Sequence, residues 1–203
     1  MKRELRKARR SQDWSAWLML YERPFRLMAL LSLSRSRGLS AKQYWSLVRV
    51  AWTDTENLYQ HTEQIRQLLY PRRIDAGKRY LIMNKDERGI FRKLPDPITV
   101  YRGCGAVNRL GWSWTTNRAQ ASWFADRHFV LSNVGLVLTA TCPRSEALAY
   151  LNERGEDEII ADPAKLEITS ERKVARKKGS RRNKAKEAVL RTMMSCNSFS
   201  QVG

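Results

Sequence analysis

The chain has 203 residues, 42% of them hydrophobic, and carries a formal net charge of +18 at pH 7. Seven Trp, seven Tyr and five Phe are enough large side chains to fill a core, which excludes a wholly disordered chain. The length suits one compact domain with extensions, or two small domains that share a core. Three scattered cysteines without C-x-x-C spacing and only two histidines argue against a disulfide framework and a structural zinc site, and they fit a reducing cytoplasm.

The positive charge is concentrated at the two ends of the chain. Residues 1–10 hold six Lys and Arg against one acid, and residues 171–191 hold ten against two. These ends carry +5 and +8, which leaves only +5 for the stretch between them. Basic arms of this kind commonly attract polyanions, nucleic acid above all, although they also serve as solubilising or disordered tails.

The longest apolar run that resembles a membrane segment, residues 17–33, contains three charged residues and a proline. These are Glu22, Arg23, Pro24 and Arg26. Such a run is too polar to span a bilayer, and the same interruption spoils a secretory signal. We therefore expect no contact with a membrane and a cytoplasmic location.

The first 97 residues are predicted to be mainly helical. Apolar residues recur at steps of three and four between residues 27 and 31, and again over residues 40–70. Ser40 is a plausible N-cap for the second segment and Pro71 closes it. The charged stretch over residues 71–97 is interpreted as a connection into a second region.

From Ile98 onward the pattern changes to short strands. A single helix is predicted between the first two strands, because Asn117 and Gln120 have capping-box spacing ahead of an aromatic helix face. The predicted strands are "ITVYRG" (98–103), "GLVLTATC" (135–142), "ALAYL" (147–151), "EDEIIA" (156–161) and "KLEITS" (165–170).

This order of elements favours an α+β fold over a regular βαβ array. A helical N-terminal region, residues 1–97, is expected to pack on a mixed, mostly antiparallel β-sheet formed by residues 98–170. Residues 171–203 would form a basic C-terminal tail, either a helix or a disordered arm.

The stretch "RGEDEII", residues 154–160, places three acids in a row within this basic chain. If the strand includes all three, Glu156 and Glu158 project from one face about 7 Å apart, and Asp157 projects from the other. A solvated edge strand explains the acids in structural terms, since charges on an edge discourage aggregation. A functional explanation requires partners elsewhere in the chain.

Such partners are present in the right order. Arg102 ends a predicted strand, Ser113 lies in "GWSWTT", and Glu156 and Glu158 follow in "GEDEI". This set resembles the Arg, Ser-x-Thr/Ser, Glu-x-Glu pattern of the NAD-dependent mono-ADP-ribosyltransferases. The resemblance covers roughly a third of the chain, about residues 98–163, and a Trp stands in the middle of the Ser-x-Thr triplet, where the family usually has Thr.

The resemblance implies how NAD would be bound. The guanidinium of Arg102 would contact the pyrophosphate of NAD, which a planar fork of N–H donors suits. Ser113, with Thr115 as support, would position the catalytic carboxylate, and Phe124 would flank the nicotinamide. Gly103 is placed with the cofactor-binding residues, although a glycine at this point more often serves a tight turn.

The resemblance also implies a catalytic role for each of the two acids. Glu158 would stabilise the positive charge that develops on the ribose as the bond to nicotinamide breaks, the electronic problem that glycosidases also meet. Glu156 would orient and help deprotonate an arginine guanidine, because Glu at this family position accompanies arginine modification. The implied function is transfer of ADP-ribose from NAD to arginine side chains of a target protein, a nucleic-acid-associated host protein if a bacteriophage or mobile element encodes the chain.

Two alternatives remain. One is a basic nucleic-acid-binding protein without catalysis, which explains the charged ends better but leaves Glu156 and Glu158 without a role. The other keeps NAD but transfers to a nucleic acid base, a phosphate or a small molecule. No phosphate-binding loop and no dinucleotide-binding glycine motif is present in the sequence.

Overall fold

The computed structural model describes residues 2–35, 39–55, 58–72, 74 and 76–174. Most of the predicted basic tail, from residue 175 to residue 203, therefore lies outside the described residues. No helix in the described part of the chain is long and apolar enough to cross a membrane.

The first half of the chain is helical, as predicted. Its helices are α1 Lys2–Arg10, α2 Trp14–Met19, α3 Arg26–Arg35, α4 Ala41–Asp54, α5 Thr62–Leu69 and α6 Lys85–Lys93, with 3-10 turns over Arg23–Phe25, Leu58–His61 and Ala76–Ile82. The prediction of Ser40 as an N-cap is confirmed, since its hydroxyl accepts from the Gln43 backbone and the Gln43 side chain accepts in return.

The single helix predicted over residues 40–70 is in fact two helices. Helix α4 ends at Asp54, and Thr55 takes an extended conformation with ψ 125°. The Thr55 hydroxyl donates to the Ala51 carbonyl at 2.6 Å, and the Thr55 N–H bonds to the same oxygen. Both donors of Thr55 thus close the last turn of α4, and the extended backbone of Thr55 ends the helix before α5 begins.

The stretch predicted to be a connection, residues 71–97, also holds a helix. Asn84 caps α6 through a complete capping box with Glu87. Glu87 is 3% exposed and accepts two hydrogen bonds from Arg49 of α4, at 2.6 and 3.0 Å, and one from the backbone N–H of Asn152 at 2.9 Å. This buried carboxylate therefore ties two helices to the end of a sheet strand.

The second half of the chain forms one six-stranded sheet in the order β4-β5-β2-β1-β3-β6. The five neighbouring pairs in it are all antiparallel, so the α+β class with a mostly antiparallel sheet is confirmed. The elements are β1 Ile98–Cys104, β2 Ser113–Thr115, α7 Arg118–Ser132, β3 Leu136–Cys142, β4 Ala147–Leu151, β5 Glu158–Ala161 and β6 Glu167–Lys173.

Helices and sheet share one core, as predicted. One buried cluster contains Trp45 and Trp52 of α4. It also contains Trp112 just before β2, Trp114 within β2 and Ile159 of β5. Helix α4 meets the sheet at the C-terminal end of the helix, where Trp52 donates to Glu158 at the start of β5 and the Thr53 carbonyl accepts from Arg154.

Candidate functional site

A cleft of about 200 Å³ opens where β1, β2 and β5 meet α7 and the end of α4. The seven residues that the sequence singled out all line it: Arg102, Gly103, Ser113, Thr115, Phe124, Glu156 and Glu158. The rest of the lining is Thr55, Leu58, Tyr59, Tyr101, Asn108, Trp114 and His128. A larger cavity, of about 470 Å³ between α3 and α5, contains none of the seven.

Glu158 is the first residue of β5 and is 3% exposed. Its Oε1 atom accepts a short hydrogen bond of 2.5 Å from the Ser113 hydroxyl and one of 3.1 Å from the indole Nε1 of Trp52. Burial raises the pKa of Glu158, and the hydrogen bonds from Ser113 and Trp52 offset part of that rise. The carboxylate is thus held in one orientation, with one oxygen fully engaged.

The strand register explains why Ser113 reaches Glu158. Thr115 lies directly opposite Glu158, and Ser113 lies opposite Ile160 two positions further along β5. Residues two apart in a strand share a face, so Ser113 and Glu158 are diagonal neighbours on the cleft side of the sheet.

Thr115 supports the backbone next to the site. Its hydroxyl donates to the backbone carbonyl of Glu156 at 2.6 Å and accepts from the N–H of Asn117 at 2.9 Å. It therefore fixes the chain just before β5, and the Glu158 carboxylate itself is bonded by Ser113.

Glu156 does not belong to the strand, which corrects the prediction of a strand over residues 156–161. Gly155 and Asp157 have left-handed backbones, with φ of 67° and 47°, so the chain turns before β5 begins at Glu158. The Asp157 carboxylate is directed away to the Tyr150 hydroxyl, at 2.6 Å. Glu156 and Glu158 nevertheless line the same cleft, and the guanidinium of Arg154 lies beside both, 3.0 Å from Glu156 and 4.0 Å from Glu158.

Arg102 uses its guanidinium mainly to brace the loop before β2. It donates to the backbone carbonyls of Arg109, Ser113 and Asn108, at 3.3, 2.6 and 2.9 Å. A side chain at Gly111 would overlap this guanidinium. Burial lowers the pKa of Arg102. Three of its five N–H donors are used in these contacts, which leaves two for another acceptor.

Gly103 has a packing role that is visible in the structure. A Cβ atom there would overlap the backbone of Ala121 and Ala125 and the Cβ of Phe124, so only glycine lets α7 lie this close to β1. Phe124 is half-buried on the cleft side of α7, and its neighbour Trp123 is exposed. The prediction that Asn117 caps this helix is confirmed, since its side chain accepts from two backbone N–H groups of the first turn.

Several residues of the site were not predicted from the sequence. Trp52 and Thr55 of the helical region meet the sheet only in the folded chain, and nothing in their sequence context marks them. Asn108 accepts from the Gly105 N–H, and its amide nitrogen lies 3.1 Å from Nε2 of His128. Burial, with Arg102 and Arg127 nearby, lowers the pKa of His128, which favours a neutral imidazole that accepts this bond.

No family model, curated protein or solved structure matches the chain.

The chemistry of the cleft follows from its two carboxylates. A buried, oriented carboxylate can stabilise a positive charge that develops beside it, because the surroundings screen it less than water does. A second, more exposed carboxylate next to it can accept a proton.

Proposed function

We propose that the chain is a cytoplasmic mono-ADP-ribosyltransferase that transfers ADP-ribose from NAD to an arginine side chain of a target protein. The observation that carries the proposal is the Glu158 carboxylate, fixed by Ser113 in a cleft that Glu156 and Arg102 also line. These residues were singled out by order and type in the sequence, and the fold brings them together from three strands and a loop.

The cleft suits one end of NAD. Pockets that enclose a drug-sized ligand measure roughly 300–1,000 Å³, and this cleft is smaller, at about 200 Å³. It can take the nicotinamide and its ribose, and the adenosine end would then lie along the open mouth. The two remaining N–H donors of Arg102 would bond most strongly to an anionic oxygen, and the pyrophosphate of NAD supplies such oxygens. The half-buried ring of Phe124 offers an apolar surface to nicotinamide.

Each acidic residue has a distinct task in this proposal. Glu158 is buried and oriented, so its charge acts at short range on the ribose as the bond to nicotinamide weakens. Glu156 is more exposed, with 21% of its side chain accessible, and takes the proton from the incoming guanidine. Ser113 and Trp52 hold Glu158 in the orientation that the first task requires.

Transfer of label from NAD tests this proposal. Purified protein is incubated with NAD labelled in its adenylate part and with a small guanidine compound, and then with a cell lysate. We expect label on the guanidine compound and on protein, loss of both in Glu158→Ala, and retained nicotinamide release but reduced transfer in Glu156→Asp. Label in the nucleic acid fraction would move the acceptor to nucleic acid. Absence of any turnover of NAD would refute the proposal.

A second candidate, nucleic acid binding, is favoured by helix α1. Its Leu5 and Ala8 pack towards the core, while six cations are exposed on the rest of its surface: Lys2, Arg3, Arg6, Lys7, Arg9 and Arg10. At 3.6 residues per turn these six cover an arc opposite Leu5 and Ala8. Among the described residues no acidic side chain forms a salt bridge with them. The six cations therefore repel one another, and a bound polyanion would reduce this repulsion.

The partner favoured for α1 is the phosphate backbone of nucleic acid. Insertion into a lipid surface needs an exposed apolar face, and the apolar face of α1 is occupied by the core. Arg6→Glu with Lys7→Glu should weaken binding to duplex DNA or RNA and flatten its salt dependence. Lys42→Glu with Arg118→Glu is the matched control, since it makes the same change in net charge at exposed sites elsewhere. Equal weakening by both pairs, or binding only to anionic vesicles, would contradict this candidate.

A further inference from the structure

An arginine of this chain already lies against the two carboxylates. Arg154 belongs to the turn before β5, and its Nη2 atom is 3.0 Å from Oε2 of Glu156 and 4.0 Å from Oε2 of Glu158. Its Nη1 atom donates to the Thr53 carbonyl of α4 at 3.2 Å. The guanidinium is therefore held at the rim of the cleft by the sheet on one side and the helical region on the other.

The two oxygens of Glu158 are approached from different directions. Oε1 is occupied by Ser113 and Trp52, whereas Oε2 is approached by the guanidinium of Arg154. Arg154 thus holds a position from which a guanidine contacts Glu156 and also lies near Oε2 of Glu158. A half-exposed ion pair contributes only about 0–1 kcal/mol to stability, so the contact has little value as a structural brace.

We infer that Arg154 occupies the acceptor position and is itself an ADP-ribose acceptor, modified within its own molecule. The inference rests on the proposed transferase function and adds a modification site to it. Arg154 has the chemistry that the acceptor requires, and 46% of its side chain is exposed, which leaves room for the attached group.

The step balances without a further reactant. The bond between C1 of the nicotinamide ribose and the nicotinamide nitrogen breaks, and its electron pair leaves with nicotinamide. A bond forms between the same carbon and Nη2 of Arg154. The proton that Nη2 gives up passes to the Glu156 carboxylate and then to solvent, and no group is oxidised or reduced.

Self-modification also has a consequence for other acceptors. Once Arg154 carries ADP-ribose, the rim of the cleft is filled by a bulky anionic group. Access of an external guanidine to Glu156 is then blocked, so activity towards a target protein should decline as self-modification proceeds.

The experiment uses the full chain with NAD, with nicotinamide release and site-resolved peptide mass spectrometry measured in parallel. We expect ADP-ribose on Arg154 at a rate per molecule that does not change with protein concentration. Arg154→Lys keeps the charge but removes the guanidine, and it should lower total self-labelling at least tenfold. Arg172→Lys, at an exposed arginine of β6, is the matched control and should leave self-labelling unchanged.

The outcomes separate this inference from the proposed function. Nicotinamide release with no label on Arg154, or with label only on other residues, overturns the inference and leaves the transferase standing. Labelling of Arg154 that rises with protein concentration shows modification between molecules and overturns the intramolecular step. No nicotinamide release at all overturns the proposed function and this inference together. Thermal melting of each variant identifies a loss that is due to unfolding.

Discussion

The indole Nε1 of Trp52 donates a hydrogen bond of 3.1 Å to the Oε1 atom of Glu158, a residue that lies 106 positions further along the chain. Trp52 belongs to the helical region and Glu158 to the sheet. The helical region therefore completes the candidate site, and Trp52 acts on the carboxylate as a positioning residue.

Trp52→Phe removes this donor and keeps an aromatic ring. A hydrogen bond to a charged group is worth about 1.5–3 kcal/mol, so we expect nicotinamide release to slow about tenfold or more. Loss of the donor should also raise the pKa of Glu158, which moves the acid limb of the pH–rate profile to higher pH. Trp45→Phe, in the same helix, is the matched control, because the Trp45 Nε1 has no partner among the described residues. Equal effects of the two substitutions would show that packing alone matters.

Glu158 should destabilise the fold at neutral pH. Burial raises its pKa in the folded chain, so the charged carboxylate is disfavoured there relative to the unfolded chain, where the ordinary pKa is about 4.3. Stability then falls as the pH rises from that value through the folded pKa. We expect Glu158→Gln to melt above the wild type at pH 7, because the neutral amide has no charge to bury. The gain should vanish below about pH 4; a lower melting temperature at pH 7 would contradict this.

Glu87 should show the opposite dependence on pH. Burial would raise its pKa, but hydrogen bonds from Arg49, Asn152 and Asn84 outweigh burial and lower it. Its stabilisation is present above the ordinary pKa of Glu and is lost as the pH falls through the lowered value. We expect Glu87→Gln to reduce the free energy of unfolding by about 3–5 kcal/mol at pH 7, measured with urea, and by less in acid.

Glu153→Gln is the control for Glu87→Gln. Glu153 binds the same guanidinium, that of Arg49, at 3.0 Å, but 55% of its side chain is exposed. We expect a loss below about 1 kcal/mol. Similar losses for the two variants would mean that Arg49 is held without any need for the buried carboxylate.

Alanine substitutions at Gly103 and Gly89 should change the free energy of unfolding in opposite directions. A Cβ at Gly103 would overlap the backbone of α7, so we expect Gly103→Ala to lower the free energy of unfolding by about 1–3 kcal/mol or more. Gly89 lies in α6 with open space around it, and Gly89→Ala should stabilise the chain by about 0.5–1 kcal/mol. Urea denaturation measures both. A Gly103→Ala variant of normal stability that has lost NAD binding would instead assign this glycine to the ligand.

Local signals in the sequence predicted much of the fold. Strand β4 has the predicted bounds, and Ser40 and Asn117 cap their helices because a cap depends on a few neighbouring residues. The capping box of Asn84 and Glu87 was equally readable, and it was overlooked in a stretch rich in charge. Strand β2 was missed because three residues carry too little pattern.

The site was only partly predictable. Arg102, Ser113 and the two glutamates were found by type and order, but their contacts depend on strand pairing that the sequence does not state. The left-handed backbone of Asp157 removes Glu156 from the strand, and such a conformation in a residue other than glycine has no reliable signature. The contact of Trp52 with Glu158 forms only when the helical region docks on the sheet.

The most direct test of the account measures nicotinamide release from NAD by the wild type and by Glu158→Gln, with Glu167→Gln at an exposed site as the control. The expected stability of Glu158→Gln at pH 7 separates lost chemistry from lost folding. We expect turnover by the wild type and by the control, and a loss of at least about 10²-fold in Glu158→Gln. Turnover that Glu158→Gln leaves unchanged, or no turnover by the folded wild type, would contradict the account.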